Sequence, residues 1–121
     1  MIKSVVVPTF VGQDENFDKL RAVFTELGFR HGEGWDDDLS RGAPFLAPLG
    51  GLEVIQGEPP ARANILVEVL DLDRVRCVVE KHGLTVADAP YETHWNSRLF
   101  VVELPNGFRV AFFQYAKQKA S

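Results

Sequence analysis

The chain has three histidines, His31, His82 and His94. No two of them are spaced to chelate a metal from one local element. With Glu53 and Glu92, His31 and His94 would form a divalent-metal or acid–base site only if distant strands brought them together. His94 has no sequence-local partner that would make it a general base. His82, at a predicted helix C-terminus, reads as a cap. The other chemistry on offer is recognition without reaction. Aromatic residues make up 11% of the chain and include Phe10, Trp35, Phe45, Trp95, Phe100, Phe112, Phe113 and Tyr115. Trp35 and Trp95 fall at similar places in the two halves, and indoles facing across a cleft would clamp a planar or cationic group. Adjacent Phe112 and Phe113 must point to opposite faces of a strand, so one of them packs under a helix. Arg98 has two readings, a cation that orients a ligand or a solvated strand residue paired with a carboxylate. Asp36-Asp37-Asp38 reads as a solvated loop.

The elements that would position these groups occur twice. Gly28 and Gly83, each ending an amphipathic helix, lie 55 positions apart, and Gly51 and Gly107, each opening a strand, lie 56 apart. Ser4–Phe10 is β-rich, with Val5, Val6 and Val7 in a row, which predicts a strand covered on both faces. Asp14 is the expected N-cap of the first helix, and Phe17, Leu20, Phe24 and Leu27 form one apolar stripe along it. A strand over Phe29–Trp35 would put Phe29, His31, Glu33 and Trp35 on one face. Short strands over Ala43–Ala47 and Leu52–Gln56 close the first module. In the second, a strand spans Asn64–Leu70 and Asp71 and Asp73 open a helix lined by Leu72, Val75, Val79 and His82. A strand over Leu84–Ala87 is broken by Asp88-Ala89-Pro90, and another starts at Glu92–Trp95. Arg98–Leu104 and Phe108–Tyr115 flank Pro105-Asn106-Gly107, a hairpin turn. The pattern is βαβββ twice: module one over 1–57, a linker over 58–62, module two over 63–116 and a frayed tail over 117–121. Such modules predict an α+β fold in which each curls its strands into a half-barrel with the helix outside, and two half-barrels make a cleft.

Composition limits the function classes. A chain of 121 residues supports one compact domain with a real core. Net charge is −4, and Lys and Arg are scattered, so a nucleic-acid partner is not expected. No run approaches the roughly 20 apolar residues of a membrane helix, and the N-terminal apolar patch is too short for a signal segment. A cytoplasmic protein without a membrane partner is the expectation. A single cysteine, Cys77, leaves no internal disulfide and no thiolate metal cluster. Its mid-helix position reads as a small buried hydrophobe.

Three stretches carry a family resemblance: Val23-Phe24-Thr25-Glu26-Leu27-Gly28-Phe29, Trp95-Asn96-Ser97-Arg98-Leu99-Phe100 and Leu104-Pro105-Asn106-Gly107-Phe108. In order and spacing they resemble the vicinal oxygen chelate superfamily, which includes glyoxalases, extradiol dioxygenases and bleomycin and fosfomycin resistance proteins. The resemblance implies a curled mixed sheet of glyoxalase/bleomycin resistance type around a cleft. It also implies four inward positions, two per module, where family enzymes hold a divalent metal with His, Gln or Glu. Here the first strand offers no His or Gln, Asn64 stands where His is usual, and Ala111 stands where Glu is usual. Glu53 is the one matching ligand. Val, Pro and Ala donate nothing, and Asn is a poor ligand for a transition metal. The expectation is therefore no metal, no cofactor and no catalytic residue. The cleft would bind a small planar or cationic molecule, as bleomycin-resistance-type sequestering proteins do, in a homodimer. Its lining would be Trp35, Phe45, Glu53, Asn64, His94, Trp95, Arg98, Phe113 and Tyr115. Phe113 is chosen over Phe112 because it shares the parity of Ala111, and Tyr115 follows. The alternative is a glyoxalase- or dioxygenase-like metalloenzyme with a relocated site drawn from His31, Glu53, Glu92 and His94. A third class is a module whose aromatic groove takes a peptide or another subunit.

Overall fold

A computed structural model describes residues 1–57, 63–93 and 96–116, with backbone alone for residues 88 and 89. The linker, the tail, His94 and Trp95 lie outside the described residues. Two compact units result, one within Val6–Pro59 and the other joining Met1–Val5 to residues within Pro60–Ser121.

The first unit contains most of β1 (Ile2–Val11), then α1 (Asp14–Glu26), β2 (Arg30–His31), β3 (Trp35–Asp36), β4 (Ser40–Ala47) and β5 (Gly50–Gly57). The second contains the start of β1, then β6 (Ile65–Val69), α2 (Leu72–Lys81), β7 (Thr85–Glu92), β8 (Ser97–Glu103) and β9 (Arg109–Tyr115). In each unit the first strand runs parallel to the last, β1 with β5 and β6 with β9, and antiparallel ladders complete the sheet. Parallel neighbours need a long crossover, which the helix supplies.

Both helices stop in the same way. Gly28 and Gly83 have φ of +97° and +72°. The amides of Phe29 and Leu84 reach back to the carbonyls of Phe24 and Val79 at 3.2 and 3.1 Å. This is the left-handed cap that glycine permits. The two helices begin 58 positions apart, at Asp14 and Leu72, and each meets a glutamine of its unit's last strand there. Gln56 Nε2 donates to Asp14 Oδ1 at 2.7 Å, and Gln114 Oε1 accepts from the Leu72 amide at 2.9 Å. These glutamines, also 58 apart, tie each last strand to the first turn of its helix.

A core lies beneath each helix, and Ile55, Leu99 and Val101 are buried on the faces turned away from the helices. Phe17, Phe45 and Val54 are buried under α1, with Leu20, Phe24 and Leu52 against them. Val67, Val69, Leu72, Val75, Val79, Phe100 and Val102 are buried under α2, with Phe112 packed on them. Phe112 is therefore the residue under the helix.

Several expectations need correction. The N-cap of α1 is Gln13, without a side-chain cap, and Asp14 instead serves Gln56 and Arg41. Asp71 does cap α2, accepting from the Arg74 amide at 3.1 Å. Val5 and Val7 are both 43% exposed, so the first strand is not covered on both faces, and Leu27 is 70% exposed. His82 and Cys77 are exposed. The segment 88–90 does not break its strand: β7 continues to Glu92 through two register shifts, each of which takes up one extra residue as a bulge does. The predicted strand 29–35 is two short strands, because Gly32–Gly34 interrupts it.

Removing the Phe45 ring by Phe45→Ala should lower stability by about 3–5 kcal/mol. Urea unfolding measures it.

Candidate functional site

Parity within the first unit separates two faces. Leu52, Val54 and Gln56 of β5 turn toward α1, so Gly51, Glu53 and Ile55 turn away from it. On the α1 side, Arg41 stacks over the Phe17 ring at 3.9 Å, and its side chain meets Gln56 and Asp14. The charges there are matched.

The other face carries Glu53. Its direct cross-strand neighbours are Pro8 of β1 and Pro44 of β4. Neither offers an N–H, and both present hydrocarbon. Pro44 costs the β4–β5 ladder nothing, because its carbonyl faces β2 and accepts from the Gly32 amide at 3.0 Å. Among the described residues the Glu53 side chain has no hydrogen-bond partner and no ion pair. Burial, which penalises the charged form, pushes its carboxyl up to about 7. Glu68 in the second unit is the contrast, since Lys3 sits 3.3 Å from its carboxylate.

Trp35 shares the Glu53 face. It pairs with Gly42, which pairs with Ile55, and its ring lies where a Gly42 side chain would be. Its Nε1 donates to Ser40 Oγ at 2.9 Å. His31 does not share this face. It pairs with Phe45, contacts that ring at 5.2 Å between centroids, and places Nε2 3.0 Å from Thr25 Oγ1 on α1. The backbone through Gly32–Gly34 thus reverses the parity expected for His31 and Trp35.

The remaining expected residues separate. Phe45 is fully buried under α1, so it is a core residue and not a ligand wall. Arg98 takes the second of its two readings: it lies on the α2 side and pairs with Asp73 at 3.6 Å, both exposed. Asn64 is occupied with the backbone of β9, its Oδ1 accepting from the Arg109 amide at 2.8 Å. Phe113 and Tyr115 do share the face turned away from α2, edge to face at 5.6 Å. The ladder residue matching Trp35 in the second unit is Tyr91, opposite Leu99. Pro8, Ser40, Gly42 and Pro44 escaped the sequence reading, since their importance depends on strand register.

No protein-family model matches the sequence, and no curated protein aligns with it significantly. Solved structures do resemble it. A glyoxalase/bleomycin resistance protein/dioxygenase superfamily member from Vibrio splendidus 12B01 superposes with a TM-score of 0.60 at 16% identity, over 94% of this chain and 99% of that one. The chain has the vicinal oxygen chelate fold. Methylmalonyl-CoA epimerase from Mycobacterium tuberculosis shares this fold at a TM-score of 0.66 and 15% identity, over 96% of this chain and 90% of that one. So does the Mn(II)-bound glyoxalase from Novosphingobium aromaticivorans, at 0.56 and 17%, over 96% of this chain and 38% of that one. The described residues do not fit a metal of that kind. Among the described residues no three His, Cys, Asp or Glu gather to hold an ion. Ala111 is fully buried and has no donor, the Asn64 oxygen is taken, and His31 faces away from Glu53. No helix among the described residues is long and apolar enough to cross a membrane.

Glu53 makes stability depend on pH. The folded chain holds its proton more tightly than the unfolded chain, whose carboxyl has the ordinary value of 4.5. Its contribution is full below about pH 4.5 and is lost as pH rises to about 7. Glu53→Gln should therefore be more stable than the parent by up to about 3 kcal/mol at pH 8, and by little at pH 4.5. A difference that does not change with pH in urea titrations would contradict this.

Proposed function

We propose that the Glu53 face of the first unit binds a small planar cation, without metal-dependent chemistry. One observation carries this: a largely desolvated carboxyl with no partner among the described residues shares a sheet face with an indole ring. Buried polar groups are normally satisfied. A carboxyl left unpaired among hydrocarbon is a place where an incoming cation gains a charge-assisted hydrogen bond. The indole adds attraction for the same cation through its ring face. The binding is stoichiometric capture, in keeping with the bleomycin resistance proteins named in the superfamily of the Vibrio structure. No described side chain stands beside Glu53 to complete an acid–base pair.

A cation bound by the ionised carboxylate must displace its proton. Affinity for a permanently charged ligand should then fall about tenfold between pH 8 and pH 6. Calorimetry with N-methylacridinium at the two pH values measures it, with tryptophan fluorescence as a second readout. Tighter binding at pH 6, or no binding by any of a panel of planar cations, sinks the proposal.

A further inference from the structure

We propose that Gly42 and Ser40 hold the Trp35 indole flat on the Glu53 face, as a fixed aromatic platform for a fused-ring cation whose charge meets the Glu53 carboxylate. This deepens the binding proposed above and rests on it. A β-carbon on Gly42 would clash with Cζ2, Cζ3 and Cη2 of the six-membered ring of Trp35. Only glycine lets the indole lie down on the strand. Gly34 adds to this, because a β-carbon there would meet the Gly42 carbonyl at 2.5 Å. The chain leading into Trp35 therefore runs against β4 with no side chain between.

The ring is also tethered. Its Nε1–H donates to the hydroxyl of Ser40, a residue only 6% exposed. Swinging the ring off the sheet would break that bond and leave the buried hydroxyl without it. Gly42 lies one two-residue step along β4 from Pro44, the neighbour of Glu53. That step is about 7 Å, the reach of a fused ring system. A flat ligand on the indole thus extends to the carboxylate.

The fold itself does not demand this arrangement. The second unit repeats the topology, and there Leu99, fully buried, stands at the Gly42 place, with Tyr91 opposite it. A bulky side chain at this position is compatible with the ladder. Gly42 and Trp35 are a departure confined to the unit that carries Glu53. Ser40 and Gly42 act as positioning residues, through the ring they place.

Calorimetry at pH 8 with two cations tests this, N-methylacridinium as the flat one and butylammonium as the flexible one. Gly42→Ala should weaken N-methylacridinium about tenfold and leave butylammonium within about twofold. Glu53→Gln should weaken both. Equal weakening of both cations by Gly42→Ala, or none of the flat one, overturns the platform and leaves Glu53 as a cation site. A parent that binds neither cation overturns the platform together with the binding it rests on. Should Gly42→Ala fail to fold, Ser40→Ala removes the tether without adding bulk. Its expected loss is about threefold for N-methylacridinium alone, and an unselective loss, or none, counts against the platform.

Discussion

In each unit the first strand lies parallel to the last, and the other features follow from that pairing. Parallel neighbours cannot be joined by a tight turn, so a helix must cross over the sheet. Once the helix covers one face, every strand residue is assigned by parity to its underside or to the opposite face. Leu52 and Val54 then go under α1, and Glu53 between them does not. Val110 and Phe112 go under α2, and Phe113 does not. The glutamines Gln56 and Gln114 fix each helix at its start, and a left-handed glycine releases each chain at its end.

The carboxylates of the two units are treated very differently. Asp14 meets Arg41 and Gln56, and Glu68 meets Lys3. Glu53 is flanked by two prolines, which supply hydrocarbon and no donor. A carboxyl in such a place is held back from ionising, and no described residue compensates it. The fold does not need this residue charged, which is why its partner is sought outside the chain. The vicinal oxygen chelate fold supplies the scaffold, and Asn64, whose oxygen is taken, and Ala111, which has no donor, bring no metal ligand to it.

Much of the scaffold was legible in the residues. The repeated order of strand, helix and antiparallel strands, the glycine stops, the cap at Asp71 and the turn at Asn106-Gly107 are local signals, and local chemistry decides them. The division of Phe112 and Phe113 between faces follows from strand alternation alone. The site was legible only in part. Glu53 stood out by type, but Phe45 looked like a ligand wall and is core, while Arg98 answers Asp73 on the helix side. An aromatic ring or an arginine has the same residue type on either face, so composition could not sort them.

What the sequence by itself determined is the duplicated topology and the glycine stops of the helices. These depend on residue type and spacing along the chain. Tertiary structure decided which side chains share a face with Glu53. Strand register is set by contacts between distant segments, and a shift of one residue exchanges the two faces. The interruption at Gly32–Gly34 is such a case: it turns His31 toward α1 and lays Trp35 on Gly42. Register likewise sets Pro8 and Pro44 beside the carboxyl, and no local pattern in the chain encodes that meeting.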